Sequence, residues 1–335
     1  MAFTSLVKNM NERQLIDCLR DGQMYTKQEL AGKSGLSFPT VSKLVDELVD
    51  RGMLLALGTQ GSSPGGRRAG LFRMDGDFAH VLTLFLQGKT VCYGVFDALE
   101  KQIYRKEKEC RQGQPSVELM KEILNEVCSQ DEKIAAAAVG VPGGVHGGTI
   151  CYIDGYEELK GRELERELTD SARIPVTVSN NMNALAFGLS GKQEKREENL
   201  VCIHLAENGP GCGAVVNGRP VNGFCGFNGE VGFMPLFGER TLQEVALGGF
   251  AGVTPGEYLG RLITCICTVL NPPRVILYLE QDWGEPEEEI RMCCEKFMPA
   301  AAVPQFVFAD SYREDYMQGL MVLGTEMLFS QLTPL

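Results

Sequence analysis

The chain has 335 residues, 44% of them hydrophobic and 23% charged, and carries a net charge of -12. That length exceeds what one hydrophobic core organises, so two or three domains are expected, and the ordinary composition excludes a fibre or a disordered chain. The opening residues lack a basic start followed by an apolar run, and the longest apolar stretch, residues 262–270, is cut short by Asn271-Pro272-Pro273. Neither a signal peptide nor a membrane span is expected, and the expected location is cytoplasmic. The 12 cysteines are scattered through apolar runs, as at Cys92, Cys202, Cys265 and Cys267, which reads as reduced core thiols. Cys265-x-Cys267 and Cys293-Cys294 have no second Cys or His pair at zinc-finger spacing, so no structural metal is expected.

Charge is unevenly spread. Residues 1–75 hold ten Lys or Arg against eight Asp or Glu, a balance of +2, whereas residues 76–335 hold 22 against 36, a balance of -14. Nearly all the excess acid lies outside the first segment, which leaves that segment free to approach a polyanion.

Residues 11–20 read as a helix with Leu15, Ile16 and Leu19 on one face, ended by Asp21-Gly22. Thr26 and Glu29 form the capping box of a second helix, and Lys33-Ser34-Gly35-Leu36 makes a tight turn. Ser37 caps a third helix in which Val41, Leu44, Val45, Leu48 and Val49 form one apolar stripe, leaving Thr40, Ser42 and Lys43 outward at its start. Two short helices joined by a glycine turn, the second opening on hydroxyls and a lysine, suit a helix-turn-helix that offers its second helix to a DNA major groove. A plain three-helix packing unit is the alternative. Residues 53–57 and 69–74 read as strands around a Gly-rich loop ending in Arg67-Arg68, a wing for phosphates or a narrow minor groove, with a solvated hairpin as the plainer reading.

After Asp75 strands and helices mix. Apolar runs at 81–86 and 91–96, a helix near 117–128 and a strand at 134–139 are followed by the same order at 200–205, 212–216, 256–270 and 274–279. This repeat suggests two related α/β lobes with a ligand cleft between them.

Pro64-Gly65-Gly66-Arg67-Arg68, then Gly140-Val141-Pro142-Gly143, Ser179-Asn180-Asn181-Met182-Asn183-Ala184 and Gly226-Phe227-Asn228-Gly229-Glu230-Val231-Gly232, follow in an order that resembles the ROK family of repressors and sugar kinases over nearly the whole chain. The resemblance implies a winged helix-turn-helix at residues 1–75, then a duplicated actin-like (RNase H-like) α/β domain of kinase type. Its lobes would be residues 76–190 and 191–335, in a homodimer or tetramer.

The departures from that family concern chemistry. Family kinases hold nucleotide phosphates and metal with an Asp-x-Gly-Gly-Thr turn, where this chain has Phe85-Leu86-Gln87-Gly88-Lys89. The second phosphate loop reads Ala206-Glu207-Asn208-Gly209-Pro210-Gly211, and Glu207 would repel a phosphate. The family's catalytic Asp aligns with Asn181, whose amide cannot accept a hydroxyl proton. The zinc-binding His aligns with Phe233, and residues 235–250 contain no cysteine. The expectation is a catalytically inactive domain without cofactor or metal. Asn180 and Glu230 match family positions that hydrogen-bond a sugar, with Gly143 and Asn181 beside them, for a sugar or sugar-phosphate effector; both side chains equally suit helix capping. The chain is thus expected to bind double-stranded DNA and regulate carbohydrate-related genes, with Ser37, Thr40, Ser42 and Lys43 at the bases and Arg67 and Arg68 on the backbone or minor groove. A divergent carbohydrate kinase and a regulator acting through protein contacts alone are the other two readings.

Overall fold

The computed structural model describes residues 2–60, 69–110, 113–191, 199–206, 209–250, 252–280, 283 and 286–333. The first helix, Ala2–Leu19, begins well before the expected residue 11. The second, Lys27–Ser34, opens on the anticipated capping box: Thr26 Oγ1 accepts from Glu29 N at 3.2 Å and the Glu29 carboxylate accepts from Thr26 N at 2.7 Å. Gly35, at φ 68°, ends it. Ser37 then caps Phe38–Asp50, which buries Val41, Leu44, Val45 and Leu48. Strands Leu54–Gln60 and Ala69–Met74 pair antiparallel, and Tyr25–Thr26 adds a third strand beside the latter. Arg67 and Arg68 lie in residues 61–68, outside the described residues.

The two larger sheets share one topology. In the first, the order is Gln102–Glu109, Thr90–Asp97, His80–Gln87, Ile134–Val141, Val176–Asn180; in the second, Arg219–Pro220, Gly209–Val216, Leu200–Ala206, Arg274–Leu279, Gln305–Phe308. Each runs as an antiparallel meander of three strands followed by two parallel ones. Both faces of the first sheet are covered, because alternate residues of His80–Gln87 point opposite ways. Leu82, Leu84 and Leu86 meet the outer helices Val117–Gln130 and Leu164–Ala172, while Phe85 faces inward. The second sheet has Pro255–Leu270 and Glu287–Glu295 outside. Between the sheets lie two helices, Asn181–Gly191 and Tyr312–Leu332, whose Leu185, Ala184, Tyr316 and Leu320 fill the shared core.

That last helix departs from the division drawn at residue 191. It packs on the first-lobe strands His80–Gln87 and Ile134–Val141 and against Asn181–Gly191. The two helices approach backbone to backbone: a Cβ on Gly188 would lie 2.5 Å from Gly319 Cα, and one on Gly319 would lie 2.2 Å from Ala184 O. Further along, Phe329 enters the core of the N-terminal unit among Leu15, Ile16 and Leu48, fully buried. Arg13 and Arg20 meet Glu326 at 2.5 and 2.8 Å and stand over the Phe329 ring, 5.9 and 5.2 Å from its centroid. Arg20 also reaches Glu100 at 2.9 Å. Burial pushes the Glu326 carboxyl up, but the two guanidinium groups more than offset this and hold it below the usual carboxylate value.

Phe329→Ala would leave a cavity shared by two domains and is expected to cost about 3–5 kcal/mol. Chemical denaturation measures this; a loss below about 1 kcal/mol would show that the helix end is not part of the core.

Candidate functional site

The strand Val176–Asn180 ends where the helix Asn181–Gly191 begins, and Asn180 secures the junction. Its Oδ1 accepts from Met182 N at 2.8 Å and Asn183 N at 3.0 Å, and its Nδ2 donates to Gly143 O at 2.8 Å. The capping role is therefore realised in Asn180, which also pins the Gly143 loop. Gly143 stands at φ 137°, and a Cβ there would lie 2.3 Å from Tyr152 O. Glu230 makes no side-chain cap to the short helix that follows it. Gly143, Asn180, Asn181 and Glu230 all line one pocket between the lobes.

Asn181 is tied down. Its Nδ2 donates to Tyr312 Oη at 3.1 Å, and the Tyr312 ring lies flat on His204, with centroids 3.7 Å apart and planes inclined by 15°. His204 Nε2 lies 3.0 Å from Glu280 Oε1. Next to this stack, the Tyr316 ring sits 4.7 Å from Phe85, and Tyr156 Oη donates to Gly88 O at 2.8 Å. Aromatic side chains thus stand around the Gly88 turn. Glu207 of the second loop lies outside the described residues.

The other wall of the pocket is apolar at its lip. Phe233 is 44% exposed and stands 5.6 Å from Tyr152 and 5.2 Å from Phe227, so rings from both lobes meet across the opening. Glu230 lies deeper, and burial alone pushes its carboxyl up to about 7. Among the described lining residues there is no lysine or arginine. Asparagine amides, a half-neutral carboxyl and ring faces are suited to hydroxyl-rich, weakly charged ligands. Tyr312 and His204 had no sequence signal for this site, since each reaches it only through the packing of distant elements.

On the N-terminal unit the expected reading residues fare unequally. Lys43 is 75% exposed, with only a 3.9 Å approach to Glu47. Ser37 Oγ and Thr40 Oγ1 are hydrogen-bonded to each other at 2.8 Å. Ser42 is half-buried and accepts from Lys27 Nζ at 3.1 Å, because at its helical angle it turns toward the preceding helix. The exposed first turn includes Phe38 and Pro39, which were not anticipated.

Residues 87–252 match the model described as the ROK family. The chain carries a ROK family domain. It is 22% identical over 245 residues to the xylose repressor of Bacillus subtilis (strain 168), covering 70% of this chain and 63% of that protein. It is also 26% identical over 152 residues to an N-acetyl-D-glucosamine kinase of Pectobacterium atrosepticum, covering 44% of this chain and 50% of the kinase. The chain therefore spans less than two thirds of the length of these relatives. Among solved structures, a ROK family transcriptional regulator described as a homologue of the E. coli MLC protein superposes with a TM-score of 0.77 over 98% of both chains at 17% identity. The ROK hexokinase of Thermus thermophilus gives 0.59 over 74% of this chain and 99% of its own at 19% identity. These likenesses establish the actin-like α/β fold of the ROK domain. Among the described residues no helix is long and apolar enough to cross a membrane.

A carboxyl kept protonated by burial stabilises the folded ROK domain most below its ordinary value of 4.5, and that contribution is lost as pH rises through about 7. Glu230→Gln is expected to flatten the fall in stability across this window. Denaturation midpoints measured from pH 4.5 to 8 test it, and parallel curves for the two proteins would contradict it.

Proposed function

We propose that this chain is a DNA-binding transcriptional regulator, a repressor of carbohydrate-related genes, acting in the cytoplasm with a catalytically inactive ROK domain. The observation that carries the reading is the N-terminal unit. A capped helix, a glycine turn and a second capped helix whose first turn is exposed stand beside an antiparallel hairpin, the arrangement of a winged helix-turn-helix. Superposition of nearly the whole chain on a ROK transcriptional regulator, and similarity to xylose repressors, support the same reading. Lys43 is the residue best placed to reach a base edge, Ser37 and Thr40 frame it, and Arg67 and Arg68 hold the DNA backbone or minor groove. A half-site is read by each copy of a homodimer or tetramer.

The effector is a sugar held between the lobes by Asn181 and Glu230, beside the Gly143 loop that Asn180 pins. The C-terminal helix connects the two functions. At one end Tyr312 holds Asn181, and at the other Glu326 and Phe329 hold the DNA-reading unit; the helical rise from Tyr312 to Phe329 is about 25 Å. A sugar that favours one lobe arrangement shifts this helix in proportion to its differential affinity for the two states. Phosphoryl transfer is not part of the function, because the amide of Asn181 cannot act as a base and is already bonded to Tyr312.

Selection of genomic fragments by the purified protein is expected to enrich a palindromic site. Lys43→Ala should weaken binding about tenfold and relax specificity at one position of each half-site. Arg67→Ala with Arg68→Ala should weaken all sequences alike. Absence of any enriched site at low salt would overturn the reading.

A further inference from the structure

Where the helix Phe38–Asp50 begins, one side chain is not used by the reading above. Phe38 is the first residue after the Ser37 cap and keeps 48% of its surface exposed, while Val41, Val45 and Leu48 of the same helix are fully buried. It is not alone. Phe38, Phe72, Lys27 and the wing residues Ala69 and Gly70 surround one open recess between the second helix, the third helix and the hairpin. Lys27 Nζ stands 5.5 Å over the Phe72 ring but is engaged by Asp46 at 2.6 Å and Ser42 at 3.1 Å, so the recess has no unpaired charge from it. An exposed aromatic recess at a helix start indicates a contact that water does not satisfy.

We infer that Phe38 is a specificity residue whose ring, with the recess beside it, receives the 5-methyl group of a thymine in the major groove. The inference rests on the proposed DNA reading. The N-terminal residues of a recognition helix are those that reach base edges. A phenyl ring can neither donate nor accept a hydrogen bond to a base edge, and the one apolar group that the bases present in the major groove is the thymine methyl. Lys43, exposed further along the same helix, supplies the complementary polar contact to guanine. The half-site therefore pairs a methyl-read thymine with a lysine-read base.

Enriched operator fragments, selected with the full chain, are resynthesised with deoxyuridine in place of each thymidine in turn, which removes only the methyl group. At one thymine in each half-site the wild-type protein should lose affinity about fourfold, the effect of one buried methyl. Phe38→Ala should bind the thymine and uracil forms equally, Phe38→Leu should keep part of the preference, and Lys43→Ala should keep it in full. Equal losses for wild type and Phe38→Ala at every position would overturn the inference while leaving the DNA reading intact. Failure to enrich any fragment would overturn both.

Discussion

The helix Tyr312–Leu332 is the constraint on which the other parts of the molecule depend. It is the last helix of the chain, yet it packs on the first lobe, fills the layer between the sheets and ends inside the N-terminal core. Close approach to Asn181–Gly191 requires glycine at both Gly188 and Gly319, since a Cβ on either would meet backbone. At its far end the charge of Glu326 is neutralised by Arg13 of the first helix and Arg20 just beyond its end, which in turn cover Phe329. A half-buried carboxylate with two guanidinium partners is costly to break on one side only, because the arginines would be left without their counter-charge. The N-terminal unit is thus fixed in orientation to the lobes by packing and by charge together.

The duplicated lobes explain why a cleft exists at all. Two sheets with the same strand order face each other across a pair of helices, and loops from corresponding strand ends converge there. One side of the cleft is populated by aromatic rings: Tyr312 on His204, Tyr316 on Phe85, Tyr156 on the Gly88 turn. The helix Tyr312–Leu332 borders the cleft at Tyr312 and reaches the N-terminal core at Phe329, so cleft and N-terminal unit share one element.

Electrostatics sets the conditions under which the proposed DNA contact would form. The body carries -14 and the reading unit only +2. On the proposed function, attraction to DNA is short-ranged, strong only within a Debye length of the exposed Lys43 and its neighbours, and sensitive to salt. Selectivity then depends more on contacts in the groove than on the overall field.

The local structure of the N-terminal unit was legible in the sequence, because capping boxes and a heptad-like stripe are determined within a few residues. Thr26 with Glu29, Ser37, and Val41 to Leu48 all take the predicted roles. The repeated order of strands and helices was legible for the same reason, as apolar runs report burial on both faces of a sheet. Ser42 was misjudged because a helical angle does not reveal which neighbour covers a flank; here Lys27 does. Asn180 could be read as either cap or ligand group, and only the positions of Met182 N and Gly143 O show that it caps. The destination of the last helix, the Glu326 cluster and the closure of Asn181 by Tyr312 join residues 131 to 313 positions apart. Contacts at that separation leave no periodic trace in the sequence, because they depend on how whole layers stack, and so they were decided by the tertiary structure alone.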